Sequence, residues 1–283
     1  MPVKTSSAVI ARAYGYLLRR VLMAMPDKSL LVRVCRSFVD ANEGQNNSAF
    51  ETNGERFLLE KRLTENKPYV VLDVGAHNGE WSAMALELNP AIELHSFEPG
   101  GASFDELQSR DWPANVHLNN FGLGEQVGTA ELYLFGEESG MNSLYKRQGL
   151  DVTKFGAQSL SEAVQIRTLD DYIQQHSLER IDYLKIDVEG HDLKVFQGGQ
   201  KAFRNGAVKL VQFEYGGCNI DSRVLLQDLF EFLTGYGYGL HKLFPDGPRP
   251  VARYDQRLEN FQLANYVAVG QEVDLADARA TVA

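Results

Sequence analysis

Acidic side chains stand at the ends of several short apolar runs in this chain, and their spacing suggests two kinds of chemistry. Asp187-Val188-Glu189-Gly190-His191 follows the apolar run 182–186, and Glu214 follows the run 208–213. In extended backbone Asp187, Glu189 and His191 share one side of the chain, and Gly190 lets the chain turn there. Glu214 is expected to project into the same crevice. A carboxylate or imidazole so placed can take the proton of an alcohol while a new bond forms to its oxygen. Glu189, His191 and Glu214 are therefore the catalytic candidates, with Glu189 or His191 as base and Glu214 orienting hydroxyls. Two other readings stand beside this one. Asp187, Glu189, His191 and Glu214 also suit a divalent ion, Mg²⁺ by their carboxylates, zinc or manganese by the added imidazole. More simply, Asp187 and His191 would cap the following helix. The base reading, with no metal, is preferred.

The second kind of chemistry is recognition. Asp73-Val74-Gly75-Ala76-His77-Asn78-Gly79-Glu80 closes the run 69–74. Its glycines allow a tight turn and close approach of the backbone, while the next helix offers free N–H groups. The G-x-x-x-G spacing departs from the G-x-G-x-x-G of dinucleotide-binding turns. Asp73 suits an ammonium group and repels a diphosphate. Glu98, 25 residues on and followed by Pro99, can accept hydrogen bonds from both hydroxyls of a ribose. Together these describe a pocket for an adenosine-containing cation such as S-adenosylmethionine; the glycines alone also fit a ligand-free βα turn.

The elements that must position these groups follow from periodicity. Runs 69–74, 92–97, 116–118, 182–186 and 208–213 read as buried strands. Amphipathic segments separate them: one with Trp81, Met84, Ala85 and Leu88, then 104–108, 192–203 and 224–233. Residues 124–128 read as the turn of a hairpin with 130–135 as its far arm. Strand–helix alternation predicts an α/β fold, Rossmann-like, with a mostly parallel sheet and helices on both faces. Ligands then sit at the carboxyl ends of the strands. Trp81 is expected to pack on the sheet, and His95, His117 and His241 to be ordinary packing or surface residues.

The chain has 283 residues, 44% hydrophobic and 23% charged, with a net charge of −10. The charge is uneven: Lys4, Arg12, Arg19, Arg20, Lys28, Arg33 and Arg36 face only Asp27 and Asp40 in the first forty residues. Residues 1–54 read as a helical basic leader and a polar loop, and 55–283 as one domain. Val9, Ala13, Leu17 and Val21 form an apolar stripe beside arginines. That helix is expected to dock on the body or on a second copy of the chain; the rival is an anionic membrane surface met by residues 8–36. No apolar stretch approaches the ~20 residues a bilayer crossing needs. Two cysteines, Cys35 and Cys218, point to a reduced, cytoplasmic setting. The acidic body argues against nucleic acid and suits a neutral small-molecule or glycan acceptor.

DVGAHNGEWS (73–82), FEPG (97–100), TLDDYI (168–173) and DYLKIDVEGHDLKVFQGG (182–199) stand in an order and spacing that resembles the FkbM family of S-adenosylmethionine-dependent methyltransferases, over roughly residues 68–240. The resemblance implies a class I, Rossmann-like enzyme that methylates a hydroxyl oxygen on a sugar, glycolipid or natural product. It also implies site roles. Asp73, Gly75, Ala76, His77 and Gly79 would line the methionine end of the cofactor, His77 through its backbone. Glu98, with Pro99 beside it, would hold the ribose, and Asn120, Phe121 and Gly122 would border the adenine. Ser143, next to Asn142, would form a lid, and Asp187 would complete the cofactor contacts. The rival classes are an NAD-dependent oxidoreductase and a S-adenosylmethionine-binding module without turnover.

Overall fold

The structure is a computed structural model and describes residues 14–15, 20, 29–63, 65–135, 140–149, 160–270, 273 and 275. The leader stripe through Val9, Ala13, Leu17 and Val21 falls outside the described residues. The chain divides into two units, Met1–Glu43 and Gly44–Ala283. In the first, α1 (Ser29–Glu43) exposes Leu30 and Phe38, at 71% and 73%. The second unit includes the polar stretch 44–54. Among the described residues no helix is long and apolar enough to cross a membrane.

The second unit opens with α2 (Glu55–Arg62) and then alternates: β1 (Val70–Val74), α3 (Glu80–Leu88), β2 (Glu93–Phe97), α4 (Gly101–Ser109), β3 (Val116–Asn119). Three strands follow, β4 (Gly122–Leu123), β5 (Gly128–Leu134) and β6 (Leu160–Arg167), then α5 (Leu169–His176), β7 (Tyr183–Ile186), α6 (Asp192–Gly198), α7 (Gln200–Arg204) and β8 (Leu210–Tyr215). The chain closes with α8 (Cys218–Ser222), α9 (Leu226–Gly235), β9 (Gly239–Phe244), β10 (Gly247–Pro250) and β11 (Ala264–Val269). The main sheet runs β10-β9-β11-β8-β7-β1-β2-β3. Its half from β3 to β8 is parallel, as the buried runs predict, and β11 enters antiparallel between β8 and β9. This departs from the dinucleotide-binding strand order 3-2-1-4-5-6 by one reversed strand set between the fifth and sixth and by β10, added antiparallel at the β9 edge.

Both faces of the sheet are covered because its strands bury side chains in both directions. On one face Leu72, Ile186 and Phe213 meet Tyr172, Phe196 and Leu229 from the helices. On the other Val71, Leu94 and Tyr183 meet Leu58, Leu59 and Trp81, so Trp81 is a sheet-packing residue, with its ring centroid 5.6 Å from that of Tyr183.

Two expectations need correction. Residues 124–128 do not close a hairpin with 130–135. β5 pairs instead with β6, which begins only at Leu160, and β4 adds to β6 in parallel, giving a separate sheet of order β4-β6-β5. The glycines at 124 and 128 gave a turn signal, but strand partners are chosen by packing rather than proximity. The helix expected over 192–203 is two helices. Asp170 accepts the N–H groups of Lys201 and Ala202 at 2.9 and 3.0 Å, satisfying donors at a new helix start. Asp170 is itself fixed in the first turn of α5, whose N-cap Thr168 accepts from the Asp171 N–H at 3.1 Å.

The small sheet is seated by a close backbone approach. A Cβ on Gly198, at the end of α6, would lie 2.0 Å from the Gly124 carbonyl oxygen. Gly198→Ala must push β4 from α6 and is expected to cost about 2 kcal/mol, read as a lower thermal midpoint; an unchanged midpoint would show that the small sheet is not held there.

Candidate functional site

The site begins where parallel β1 and β7 end side by side. Gly75 leaves β1 at φ 86°, and a Cβ there would fall 1.9 Å from the Asp187 carbonyl oxygen. Only glycine allows the two chains to pass so closely. The Gly75 and Ala76 N–H groups donate to the Phe97 carbonyl at 3.0 and 2.9 Å, binding the turn to the end of β2. That tie brings the His77 N–H to Glu98 Oε2 at 2.9 Å, while the Gly100 N–H reaches Oε1 at 2.8 Å. Each carboxylate oxygen accepts one backbone donor and retains capacity for another. Burial pushes the Glu98 carboxyl up to about 7, although the Gly100 and His77 N–H groups favour its charge.

A cleft opens between these strand ends and the small sheet. Gly75, His77, Glu98 and Pro99 line it from one side and Gly122 from β4. Asp187, Glu189 and His191 line it from the turn after β7, and Ser143 from the segment 140–149. Other expected residues stand back from the cleft. Asp73 is fully buried, accepting from Ser82 Oγ at 2.7 Å. Gly79 packs against Leu107 and Trp112. Asn120 donates to the Glu98 carbonyl at 3.0 Å, and Phe121 packs its ring on Phe97 and Tyr172. His77 contributes more than backbone, because its side chain lines the cleft with a buried Nε2 that has no hydrogen-bond partner.

The turn after β7 is not extended, which corrects the reason given for grouping its residues. Glu189 sits at φ 50° and Gly190 at φ 95°. A non-glycine residue in that region is strained and held by its surroundings. The turn nevertheless gathers Asp187, Glu189 and Glu214, with carboxylate oxygens within 4.8 Å of one another. His191 is not part of that group. Its Nδ1 lies 3.0 Å from the Tyr145 hydroxyl, and burial, aided by Lys194, lowers its pKa to about 4. A four-ligand ion site that includes His191 is therefore not what the turn builds.

Arg147 balances the acids. Its Nη1 donates to Glu189 Oε2 at 2.6 Å, and its Nε lies 3.4 Å from Asp221 Oδ2. The Ser143 hydroxyl donates to the Glu189 carbonyl at 2.9 Å. Burial, reinforced by Asp187 and opposed by Arg147, raises the Glu189 carboxyl to about 7. Glu214, expected to project into the crevice, is not among the residues that line the cleft; it is held well above the ordinary carboxylate range by burial, then by Asp187 and Glu189.

Sequence reasoning missed Lys185. Its Nζ is buried 3.2 Å from Asp187 Oδ2 and 3.8 Å from Asp73 Oδ1. Burial opposes its charge, but Asp187, Asp73 and Glu55 together hold it above the usual lysine value. The signal was present: a lysine inside an otherwise apolar buried strand must be paired. Arg147 gave no such signal, since it arrives from a loop far away in the chain.

The strand order and the cleft at the carboxyl ends define a Rossmann-like fold of the class I methyltransferase type. The profile described as "Methyltransferase FkbM domain" matches residues 73–240, more than half of the chain, and the chain belongs to that family. Methyltransferase sdnD of Sordaria araneosa is 30% identical over 160 residues, 47% of this chain and 61% of that protein. The chain thus spans about three fifths of that relative's length. 2-O-methyltransferase NoeI of Sinorhizobium fredii is 22% identical over 186 residues, 62% of this chain and 74% of that protein. The precorrin-6y C5,15-methyltransferase structure from Geobacter metallireducens superposes with a TM-score of 0.39 at 13% identity, covering 82% of this chain and 96% of that one.

Removing one partner from a buried charge cluster leaves the others uncompensated. Lys185→Met is expected to destabilise the protein by about 3–5 kcal/mol at pH 8, measured by urea unfolding. Without the ammonium the buried carboxyl of Asp73 titrates higher still, so acid neutralises it and the penalty shrinks towards pH 5. A penalty that is small, or constant with pH, would show that Lys185 does not balance these acids.

Proposed function

We propose that the protein is an S-adenosylmethionine-dependent O-methyltransferase acting on a hydroxyl of a sugar, glycolipid or natural product. One observation carries the reading: a single cleft has a ribose-competent carboxylate, Glu98, among its walls, and Glu189, with a pKa near neutrality, also lines it. The fit to a nucleoside cofactor is supported by the unspent acceptor capacity of Glu98 and by the unpartnered Nε2 of His77. When bound, the cofactor supplies an electrophilic methyl group on a sulfonium. Family membership and the name of the Sinorhizobium relative, a 2-O-methyltransferase, point the same way.

In this reading Glu98 takes the ribose hydroxyls, with Pro99 beside it. Gly75, Ala76 and His77 shape the turn at the methionine end, supported from behind by Asp73 and Gly79. Gly122 meets the adenine, while Asn120 and Phe121 hold its surroundings. Ser143 fixes the turn that carries Glu189, and Asp187 faces the methionine end. Glu189 is the general base: it accepts the acceptor's proton as the methyl–oxygen bond forms, and a base near pH 7 is suited to that step. Glu214 orients the acceptor hydroxyls. His191 is assigned to supporting Tyr145 rather than to proton transfer, because its nitrogen is engaged and its basicity low. The reading needs neither a membrane contact nor a second copy of the chain.

A divalent ion on Asp187, Glu189 and Glu214 is the second reading, favoured by their mutual approach within 4.8 Å. Lys185 and Arg147 count against it, since they already compensate Asp187 and Glu189.

The two carboxyls near 7 make separable predictions. Ribose hydroxyls donate to charged Glu98, so binding lowers its pKa and releases a proton. Affinity for S-adenosylhomocysteine, measured by calorimetry, is expected to be highest above about pH 7 and to fall as the pH drops through it. Glu98→Gln should flatten that dependence; an unchanged slope would move the ribose elsewhere, and preference for NAD in the same cell would replace the cofactor. At saturating cofactor, kcat should rise with pH through about 7, and Glu189→Gln should lower kcat by roughly 10²–10⁴ with binding unchanged. Full activity in that variant would remove the base. Activity lost to a chelator and restored by magnesium would install the ion in its place.

A further inference from the structure

Away from the cleft, three side chains converge on one face of the sheet at its β3 edge. Glu93 and His95 are two residues apart on β2 and so point the same way, and His117 is the direct cross-strand partner of His95 on β3. His95 Nε2 lies 3.4 Å from Glu93 Oε1, and His117 Nε2 lies 3.8 Å from the same oxygen. All three ligand-capable atoms fall within 4.8 Å of one another. Ligands about 2.0–2.1 Å from a tetrahedral zinc stand about 3.3 Å apart. The His117 ring, now stacked on that of His95 with centroids 4.5 Å apart, must turn about its side-chain bonds to aim its Nε2 at the same ion, which its partly exposed position allows.

A second observation points to a ligand. His95 is 1% exposed, and its Nε2, the atom aimed at this group, is buried without a hydrogen-bond partner. Such an orphan in a packed interior calls for a missing partner. The other ring nitrogen is already placed for metal binding. Nδ1 lies 2.8 Å from the Tyr172 hydroxyl, whose oxygen also accepts the Asn119 amide N–H at 3.1 Å. A proton on Nδ1 donated to Tyr172 frees the Nε2 lone pair, the outer contact that orients most metal-ligating histidines. Access is provided by the other two side chains, which are 43% and 44% exposed.

We propose that Glu93, His95 and His117 bind a borderline divalent transition-metal ion, zinc by the chemistry of two imidazoles and one carboxylate, with water in the fourth position. The site is separate from the cleft. His95 is three residues before Glu98 along β2, about 10 Å at the rise of a strand. The ion would staple the short edge strand β3 to β2 beneath α5, adding stability through binding to the folded state alone.

The test uses the full chain, stripped with a chelator and dialysed, then titrated with zinc chloride by calorimetry and thermal unfolding, and with cobalt(II) for its visible bands. Zinc is expected to bind at about micromolar Kd or tighter, to raise the thermal midpoint and to give tetrahedral cobalt bands. His117→Asn and Glu93→Gln, both at partly exposed positions, should each weaken zinc binding by about tenfold or more, while affinity for S-adenosylhomocysteine stays unchanged. Either variant suffices if the other folds poorly. No zinc-dependent rise in midpoint, or equal affinity in the wild type and both variants, would overturn the proposal, the latter by placing the ion elsewhere. Loss of S-adenosylhomocysteine binding is no part of either result, so the cofactor reading fails or stands independently.

Discussion

The ammonium group of Lys185 is the pivot of this structure. It lies in the middle of the main sheet, 3.2 Å from Asp187 just past the end of β7 and 3.8 Å from Asp73, its direct cross-strand partner on β1. The cross-strand row runs from Ser96 through Asp73 and Lys185 to Gln212. Gln212 Nε2 in turn donates to Glu55 Oε2 at 2.6 Å, and Asn53 Nδ2 donates to Glu55 Oε1 at 2.6 Å. A belt of polar groups therefore runs through an otherwise apolar layer, from the start of α2 to the β2 end. Burying charge is costly unless each group is paired and hydrogen-bonded. The belt fulfils that condition only when β1, β2, β7 and β8 are in register, so it favours one arrangement of the strand ends over any slipped one.

That register creates the cleft. Once β1 and β7 end level, Gly75 must pass the Asp187 carbonyl at a distance no side chain permits, and the turn swings its N–H groups onto Phe97 and Glu98. On the other side the left-handed Glu189 and Gly190 fold the chain back, so Glu189 meets Arg147. The same burial that stabilises the sheet raises Glu98 and Glu189 into the neutral range. The recognition and proton transfer proposed for these two carboxylates would draw on one physical cause, the exclusion of water from the strand ends.

The strands of the parallel half were legible because they are buried on both faces and read as unbroken apolar runs, with the candidate acids placed just beyond them. The turns at Gly75 and Glu98-Pro99 were legible for the same reason: glycine and acid mark where a strand stops and the cleft begins. Pairings across distance were not. β5 chose β6 rather than its neighbour β4, and Asp170 broke a helix thirty residues downstream by capping its second half. His95 and His117 read as ordinary packing or surface residues, since nothing local reveals that two strands lay them side by side, with Glu93 two residues before His95 on the same face.

By itself the amino-acid order determined the α/β alternation, the carboxyl-end location of the cleft and about half of the residues that line it, because hydrophobic period and turn chemistry act over a few residues. Tertiary structure alone decided protonation and partnership. Glu189 gains Arg147 from across the fold, His191 is withdrawn to Tyr145, Asp73 recedes behind the cleft, and Lys185 becomes the counter-charge of two acids. Those outcomes depend on burial and on distances between groups far apart in the chain, quantities that exist only once the strands have packed.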